Sequence, residues 1–477
     1  MDRRGPLQGD VAGCGERRIP LRPRPVDTVG TPPTTPTTHE DGRTVTQTQA
    51  ITRDGILDEL RWRGAIAQTT DEDALRAALG AGPVTVYCGF DPTAPSLHFG
   101  NFVQLVALRR FQRAGHRVIC LVGGSTGQIG DPKATAERVL KSREQTAHNV
   151  ARIKDLVAPF LDFDGSTGVE HPAVLVDNLD WFAPLTALDF LRDVGKHFRV
   201  NQMIRKEAIA ARLESQEGIS YTEFSYQLLQ AYDFLELYRS HGCTLQIGGS
   251  DQWGNLTAGV DLIHRVEGVA VHALTSPLLT DSSGTKFGKS EGNAIWLSAD
   301  MTSPYAFYQY FLNIEDASVI TLLRIFTDLS PEAIGDLEHQ VTVEPYRRTA
   351  QRTLAEEMTR LVHGDDATDA VIAASEALFG RGDLRVLDPG TLADAVEELP
   401  GGGVVPGGTL TDALVAAGLA ESRNAARRIV GEGAVSLNGE RVADPEQVLV
   451  EGDFLGGVAA ILRRGKKNLA AARRRDG

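Results

Sequence analysis

Two short stretches carry the residue types and spacings that chemistry on a phosphate needs. One is Tyr87-Cys-Gly-Phe-Asp-Pro-Thr-Ala-Pro-Ser-Leu-His-Phe-Gly-Asn101; the other is Lys286-Phe-Gly-Lys-Ser290. The first reads as a strand, a proline-rich loop and a helix start. Free backbone N–H groups and the positive end of the helix dipole face any anion bound there. Gly100 lets a nucleotide approach the backbone, and His98 and Asn101 can donate hydrogen bonds to phosphate or ribose. In the second stretch two ammonium groups and a hydroxyl sit on a loop that Gly284 and Gly288 predict to be mobile. Such a pair can close over a pyrophosphate as negative charge develops. Alone, a His-x-Gly-Asn is an ordinary helix cap and a lysine pair is a solvated basic turn. Together, with Pro92 and Pro95 upstream, they describe a phosphate site built from two sides. Gly123-Gly-Ser-Thr-Gly-Gln-Ile-Gly130 is also glycine-rich, but it lacks the Gly-Lys-Ser/Thr ending of a P-loop.

These side chains need a frame. Val84-Thr-Val-Tyr87 is apolar and β-branched, which predicts a buried strand. Phe102 to Ala114 has helical spacing, with Phe102, Leu105, Val106, Leu108 and Phe111 on one face and Gly115 ending it. Arg117-Val-Ile-Cys-Leu-Val122 predicts the next strand. Strand, helix, strand at this spacing is a βαβ unit, so the sheet should be parallel. Ile56 to Leu60 opens an amphipathic helix where ordered sequence begins, near Gly55. Ala173 to Val176 and Thr244 to Ile247 are further strands. Residues 318 to 380 read as helices, with Ala350 to Val362 the clearest. Tyr226, Gln230 and Asp233 share one helix face, which a plain polar stripe would also satisfy. Near the end, Leu410 to Ala417 and Ser422 to Val430 predict two short helices. Ala434 to Val442 predicts a hairpin through Asn438-Gly439.

With 477 residues the chain is too long for one ordinary core and should form two or three domains. The net charge of -14 rules out a global basic field, so any RNA contact needs a local basic patch. Cys14, Cys88, Cys120 and Cys243 show no Cys-x-x-Cys spacing, which argues against a zinc site or a disulfide framework and fits a reducing cytosol. No apolar run is long enough to span a bilayer. Residues 1–50, rich in Pro, Thr and Arg, are expected to be a disordered extension or an over-long gene start. Their acidic residues disfavour a transit peptide, and the next methionine is Met203.

The residues around the two signatures carry a specific resemblance. Tyr87-Cys-Gly-Phe-Asp-Pro-Thr93, Gly123 through Gly130-Asp-Pro132, Ser225-Tyr-Gln-Leu-Leu-Gln-Ala-Tyr-Asp233 and Gln246-Ile-Gly-Gly-Ser-Asp-Gln-Trp-Gly-Asn255 are all close to one family's pattern. From about 55 to 475 the chain resembles the bacterial tyrosyl-tRNA synthetases, and the two signatures look like the HIGH and KMSKS motifs of class I synthetases. The resemblance implies an α/β fold: a Rossmann-like parallel-sheet catalytic domain, a helical middle domain and a small C-terminal α+β, S4-like domain. On that basis we expect the catalytic domain at 51–285, the lysine loop and helical tRNA-binding domain at 286–400, a Gly/Pro linker at 401–408 and the RNA-binding module at 409–477.

The resemblance also implies roles. Tyr87 and Asp233 would bind the phenol hydroxyl of tyrosine. Asp131, Tyr226 and Gln230 would hold its ammonium, and Gln252 would lie by its carboxylate. A carboxylate at the pocket end suits this, because an analogue without the hydroxyl leaves buried polar groups unpaired. For ATP, Asp251 would meet the ribose, Cys88 would lie near the sugar, and Gly89, Asp91, Gly100 and Gly249 would line the site. Thr93, His98, Asn101, Lys286, Lys289 and Ser290 would face the phosphates. Apart from the family, Asp251 could be a surface turn acid and Cys88 a packing residue. Arg423, Arg427, Arg428, Arg463, Arg464, Lys466 and Lys467 would contact RNA.

The implied partners are L-tyrosine, ATP, with Mg2+, and tRNA(Tyr). A homodimer in the cytoplasm is implied, with no DNA or membrane partner and no protein-bound metal site. Two departures from the pattern stand out. Asn101 replaces the second His of HIGH, and the segment from Gly130 to Arg138 is one residue short, which leaves open whether Lys133 or Arg138 meets tRNA. The rivals are a tryptophan-specific relative, a silent RNA-binding paralogue and a generic nucleotidyltransferase. Tyr87, Asp233, the intact lysine loop and the C-terminal module argue against all three.

Overall fold

The structure, a computed structural model, describes residues 51–132, 139–215, 218–282, 284, 287, 289–290, 293–379, 382–465 and 468–475. The expectations for residues 1–50 and for Lys133, Arg138, Lys286, Lys466 and Lys467 therefore fall outside the described residues. So do those for the side chains of Lys289 and Ser290.

Six strands form the first sheet: β1 (Gln68–Thr69), β2 (Thr85–Phe90), β3 (Arg117–Val122), β4 (Val174–Asp177), β5 (Cys243–Gly249) and β6 (His272–Ser276). Their order is β1-β6-β5-β2-β3-β4, parallel throughout except for β1. Apolar residues occupy both faces, as a parallel sheet between helical layers requires. Val86, Cys88, Val118 and Cys120 face one core with the helix Phe99–Arg113. Tyr87, Ile119 and Leu121 face the other with Phe234 and Leu262. The strands after β2 build outward on one side, while β5 and β6 lie on the other. The connections therefore diverge at the carboxyl ends of β2 and β5, where open α/β sheets form their binding crevice.

A short hairpin, β7 (Lys289–Ser290) and β8 (Asn293–Ala294), precedes the helical region. There the helices Pro304–Leu312, Pro331–Val343 and Pro389–Glu397 each start with proline after a capping Ser303, Ser330 or Asp388. Phe99 and Phe102 carry the catalytic core into this region: Phe99 lies 4.6 Å from Phe326, and Phe102 stacks on Phe326 at 5.7 Å. Two buried guanidiniums fasten the same joint. Arg63 donates to the carbonyls of Arg324 and Thr327 at 2.8 Å, and Arg110 to Ile325 (2.6 Å) and Thr327 (3.0 Å). Both thereby satisfy the orphan carbonyls at the end of the helix Asp316–Phe326.

The second sheet contains β9 (Gly401–Val404), β10 (Val435–Leu437), β11 (Glu440–Arg441), β12 (Ala459–Arg464) and β13 (Asn468–Arg474), in the order β11-β10-β12-β13-β9. The β10–β11 turn places Asn438 at φ 49 and Gly439 at φ 88, the left-handed pair that a two-residue hairpin needs. The glycine run read as a linker differs from that expectation. Gly401 to Val404 pair in parallel with Ala471 to Arg474. A Cβ on Gly401 or Gly402 would overlap the carbonyl of Ala471 or Ala416. These glycines permit close backbone approach, not slack. Alternation then buries both faces. Ala460, Leu462, Ala470 and Ala472 pack with Leu410, Leu414 and Ile429. Ala459, Ile461 and Ala471 belong to the same apolar cluster as Leu384, Leu392 and Val396 of the helical region. No helix among the described residues is long and apolar enough to cross a membrane.

Candidate active site

At the carboxyl ends of β2 and β5 the crevice is walled by one continuous polar chain. Asp91, just beyond β2, accepts from the Tyr226 hydroxyl at 2.8 Å and from Thr126 Oγ1 at 2.6 Å. Asn178 Nδ2 donates to Thr126 Oγ1 (3.0 Å) and to Asp233 Oδ2 (3.1 Å), and Trp181 Nε1 donates to Asp233 Oδ1 (2.9 Å). Gly123 belongs here because a Cβ would collide with Asp91 Oδ1 and Thr126 Oγ1; at Gly124 it would collide with Asp177. Tyr226 and Asp233 reach the crevice from the helix Tyr221–His241, which Ser220 caps by accepting from the Glu223 N–H.

Burial governs the charges. Asp233 is 2% exposed, and desolvation lifts its carboxyl well above the ordinary range, against the pull of Asn178 and Trp181. Burial, and then the nearby Asp233, push the Tyr87 phenol well up. Its ring lies 5.3 Å from Phe234, and its hydroxyl has no hydrogen-bond partner among the described residues. The side-chain oxygens of Gln230 and Gln246 are likewise buried and unpartnered. Native interiors seldom leave such groups unsatisfied, so three near one crevice mark a place for a polar ligand.

The opposite wall belongs to Asp131. It accepts from Gln252 Nε2 at 2.9 Å and from Asn255 Nδ2 at 3.1 Å. Lys206 Nζ donates to Asn255 Oδ1. Burial brings the Lys206 pKa down to about 8, with Asp131 opposing. Gly249 ends β5 and Asp251 follows in a short turn, Ser250–Gln252, where a Cβ on Gly249 would crowd Asp251.

His98 is the extended residue (φ -87, ψ 163) before the helix Phe99–Arg113, and its ring lies over Gly100, where a Cβ would stand 2.9 Å from Cε1. The Asn101 N–H donates to the His98 carbonyl at 2.9 Å. The chain leaving β8 runs alongside. Phe99 N–H donates to Ile295 at 2.8 Å, Leu297 N–H donates to Leu97 at 3.0 Å, and the His98 ring sits 6.2 Å from Trp296. The stretch 295–297, just downstream of the second signature, therefore lies beside the first. Thr93 lies on the loop after Asp91, its carbonyl accepting from Lys141.

Asp91, Tyr226 and Asp233 thus belong to one network, with the Tyr87 hydroxyl near Asp233; Asp131 and Gln252 belong to a second, and His98 and Asn101 to a third segment beside residues 295–297. Gly89 is the exposed residue one short of the end of β2. Cys88 joins none of these; its thiol is buried in the core beside Cys120 and its pKa is raised by burial. In the C-terminal module Arg423, Arg427 and Arg428 are exposed on the helix Arg423–Gly431, paired with Asp412, Glu446 and Glu432. Arg463 and Arg464 instead donate to the carbonyls of Leu378 and Leu419. Thr126, Asn178, Trp181, Lys206 and Asn255 are site residues that sequence reasoning missed. The only signal for Asn178 was its position just past a strand's carboxyl end. Among the described residues no cluster of three or more His, Cys, Asp or Glu could hold a metal ion.

A family model described as tRNA synthetases class I (W and Y) matches residues 80–380, and one described as the tyrosine–tRNA ligase SYY-like C-terminal domain matches 393–471. The chain is 58% identical over 417 residues to a tyrosine–tRNA ligase of Streptomyces griseus, covering 87% of this chain and 98% of that protein. It is 56% identical over 427 residues to one of Nocardia farcinica, covering 88% and 98%. A solved C-terminally truncated mitochondrial tyrosyl-tRNA synthetase of Aspergillus nidulans superposes with a TM-score of 0.62 at 32% identity, over 68% of this chain and 94% of that one. With its crevice, its two sequence signatures and both matched domains, the chain belongs to the tyrosine–tRNA ligase family of class I tRNA synthetases.

Proposed function

We propose that this chain activates L-tyrosine with ATP and transfers the tyrosyl group to the 3′-terminal adenosine of tRNA(Tyr). The tyrosine carboxylate attacks the α-phosphate of ATP in line. Tyrosyl-adenylate forms and pyrophosphate leaves, carrying the magnesium that arrived with ATP. The adenosine hydroxyl then attacks the tyrosyl carbonyl and AMP leaves. Neither step needs a protein nucleophile, so catalysis is positioning plus stabilisation of developing charge. His98 and Asn101 on one side and Lys286, Lys289 and Ser290 on the other take the phosphates. Asp131, Tyr226 and Gln230 hold the ammonium, Gln252 lies by the carboxylate, and Asp251 meets the ribose.

One observation carries the choice of amino acid. The family model spans tryptophan and tyrosine enzymes, but the buried Tyr87 hydroxyl and Asp233 together suit a phenol O–H that can donate to one and accept from the other. Exposed Leu188 (79%), Val200 (63%) and Leu191 (49%) support a homodimer that would cover them. Among the described residues Cys88, Cys120 and Cys243 are buried and free, which fits a cytoplasmic setting. The test is amino-acid-dependent ATP–pyrophosphate exchange on the purified chain. Exchange with tyrosine and not with tryptophan or phenylalanine is the expected result; exchange with tryptophan would overturn the pocket assignment.

A further inference from the structure

The lysine loop has two roots, held in different ways. The downstream root is tied by backbone bonds to the His98 segment, through Phe99 to Ile295 and Leu297 to Leu97. At the upstream root, Ser282 meets a side chain from the helical region. Glu315 accepts from the Ser282 N–H at 2.7 Å through Oε1 and from the Ser282 hydroxyl at 2.6 Å through Oε2.

Glu315 is the residue before the helix Asp316–Phe326, where a side chain normally accepts from its own helix's first N–H groups. Here no such capping bond is made. The carboxylate turns instead to a residue 33 positions away and to the Ser318 hydroxyl at 2.8 Å. Charge-assisted bonds of this kind are about twice as strong as neutral ones and fix direction as well as distance. The Ser282 and Ser318 donors hold the Glu315 carboxyl below its usual range, against the repulsion of Asp281. The far end of the same helix is clamped by Arg63 and Arg110, and Arg110 lies on the helix that begins at the His98 signature. The helix Asp316–Phe326 is therefore a strut. Its carboxyl end is fixed to the first phosphate signature and its amino end reaches the root of the second.

We infer that Glu315 is a positioning residue, which sets the upstream root of the lysine loop through Ser282 and so aligns the loop with the His98 segment. This rests on the proposed function for its catalytic consequence, but the anchoring itself can be measured apart from activity. Hydrogen–deuterium exchange on the full chain reads the Ser282 amide directly. Glu315→Ala should raise exchange of that amide roughly 10-fold, while Ser318→Ala, which leaves the Ser282 bonds in place, should not. In ATP–pyrophosphate exchange, Glu315→Ala should lower kcat by roughly 10-fold and raise the ATP KM, with tyrosine affinity unchanged and Tm lowered only slightly. Adding Ser282→Ala to Glu315→Ala should cost nothing more, and Glu315→Gln, which still accepts one bond, should fall between. An unaltered Ser282 amide in Glu315→Ala overturns the inference whatever the activity. So does a loss of exchange matched by an equal loss of tyrosine affinity. A wild-type chain without tyrosine-dependent exchange, in which Glu315→Ala still loosens the amide, would sink the proposed function and leave the anchor standing.

Discussion

At the carboxyl edge of the parallel sheet, Tyr87, Gln230 and Gln246 each keep a buried polar atom without a partner among the described residues. In the C-terminal sheet, Arg463, Arg464 and Arg473 are all committed to backbone carbonyls, Arg473 to those of Val396, Glu397 and Leu399. The first sheet holds polar groups in waiting; the second uses its charges to hold itself to its neighbours. A basic residue in an RNA-binding module is thus not by that fact an RNA contact. The exposed helix carrying Arg423, Arg427 and Arg428 is where phosphate could displace a weak surface pair.

The contrast can be broken at either end. Asp233→Ala should produce the largest effect, lowering tyrosine-dependent exchange on the order of 10²-fold while changing equilibrium binding of a phenylalanine analogue, which lacks the hydroxyl, far less. Equal losses of affinity for tyrosine and for the phenylalanine analogue would show that Asp233 does not read the phenol. Replacing Arg423, Arg427 and Arg428 together by Gln should weaken tRNA binding roughly 10-fold at low salt and flatten the salt dependence by about one unit per arginine. Exchange and Tm should stay as they were. A salt slope that does not change would return the RNA contact to the carbonyl-bound arginines. Tyr87→Phe should weaken tyrosine binding by about 5-fold yet stabilise the free protein by about 1 kcal/mol, because it removes an unsatisfied buried hydroxyl. Calorimetry and equilibrium binding on the same sample would check both signs; a lowered Tm would mean the hydroxyl is already satisfied.

The smallest effect is a pH slope. The Lys206 ammonium has its pKa lowered by burial to about 8, while the unfolded side chain keeps its ordinary value near 10.5. Between those values the unfolded chain binds the extra proton, so stability should rise with pH, by about 1 kcal/mol per pH unit. Lys206→Met should remove that slope in denaturation curves taken across the window.

What was legible in the residues follows from where the causes lie. β3 occurs as predicted because five consecutive apolar residues, Val118 to Val122, between Arg117 and Gly123 leave a buried strand no alternative. The helix expected from Phe102 begins at Phe99, since the Ile295 carbonyl, nearly two hundred residues on, holds the Phe99 N–H. The site divides likewise. Tyr87 and Asp233 stand in recognisable runs, and Tyr226 and Asp233 share a helix face. The Asn178 and Trp181 side chains that hold Asp233 come from the start of a one-turn helix, Leu179–Phe182, more than fifty residues away, and only the folded sheet edge unites them. Gly401 to Gly403 misled for a related reason: glycine marks both slack and tight contact, and only the neighbouring strand tells which.

That glycine run also decides where the chain can be divided. A cut or an inserted tag at 401–403 would open a sheet along its parallel edge and strand Ala471 and Arg473 without the backbone they lie against. Because Ile461 and Ala471 share a core with Leu392 and Val396, the helix Pro389–Glu397 travels with the module. As an independent piece for engineering, the module therefore has its natural seam ahead of Pro389, not at the glycines.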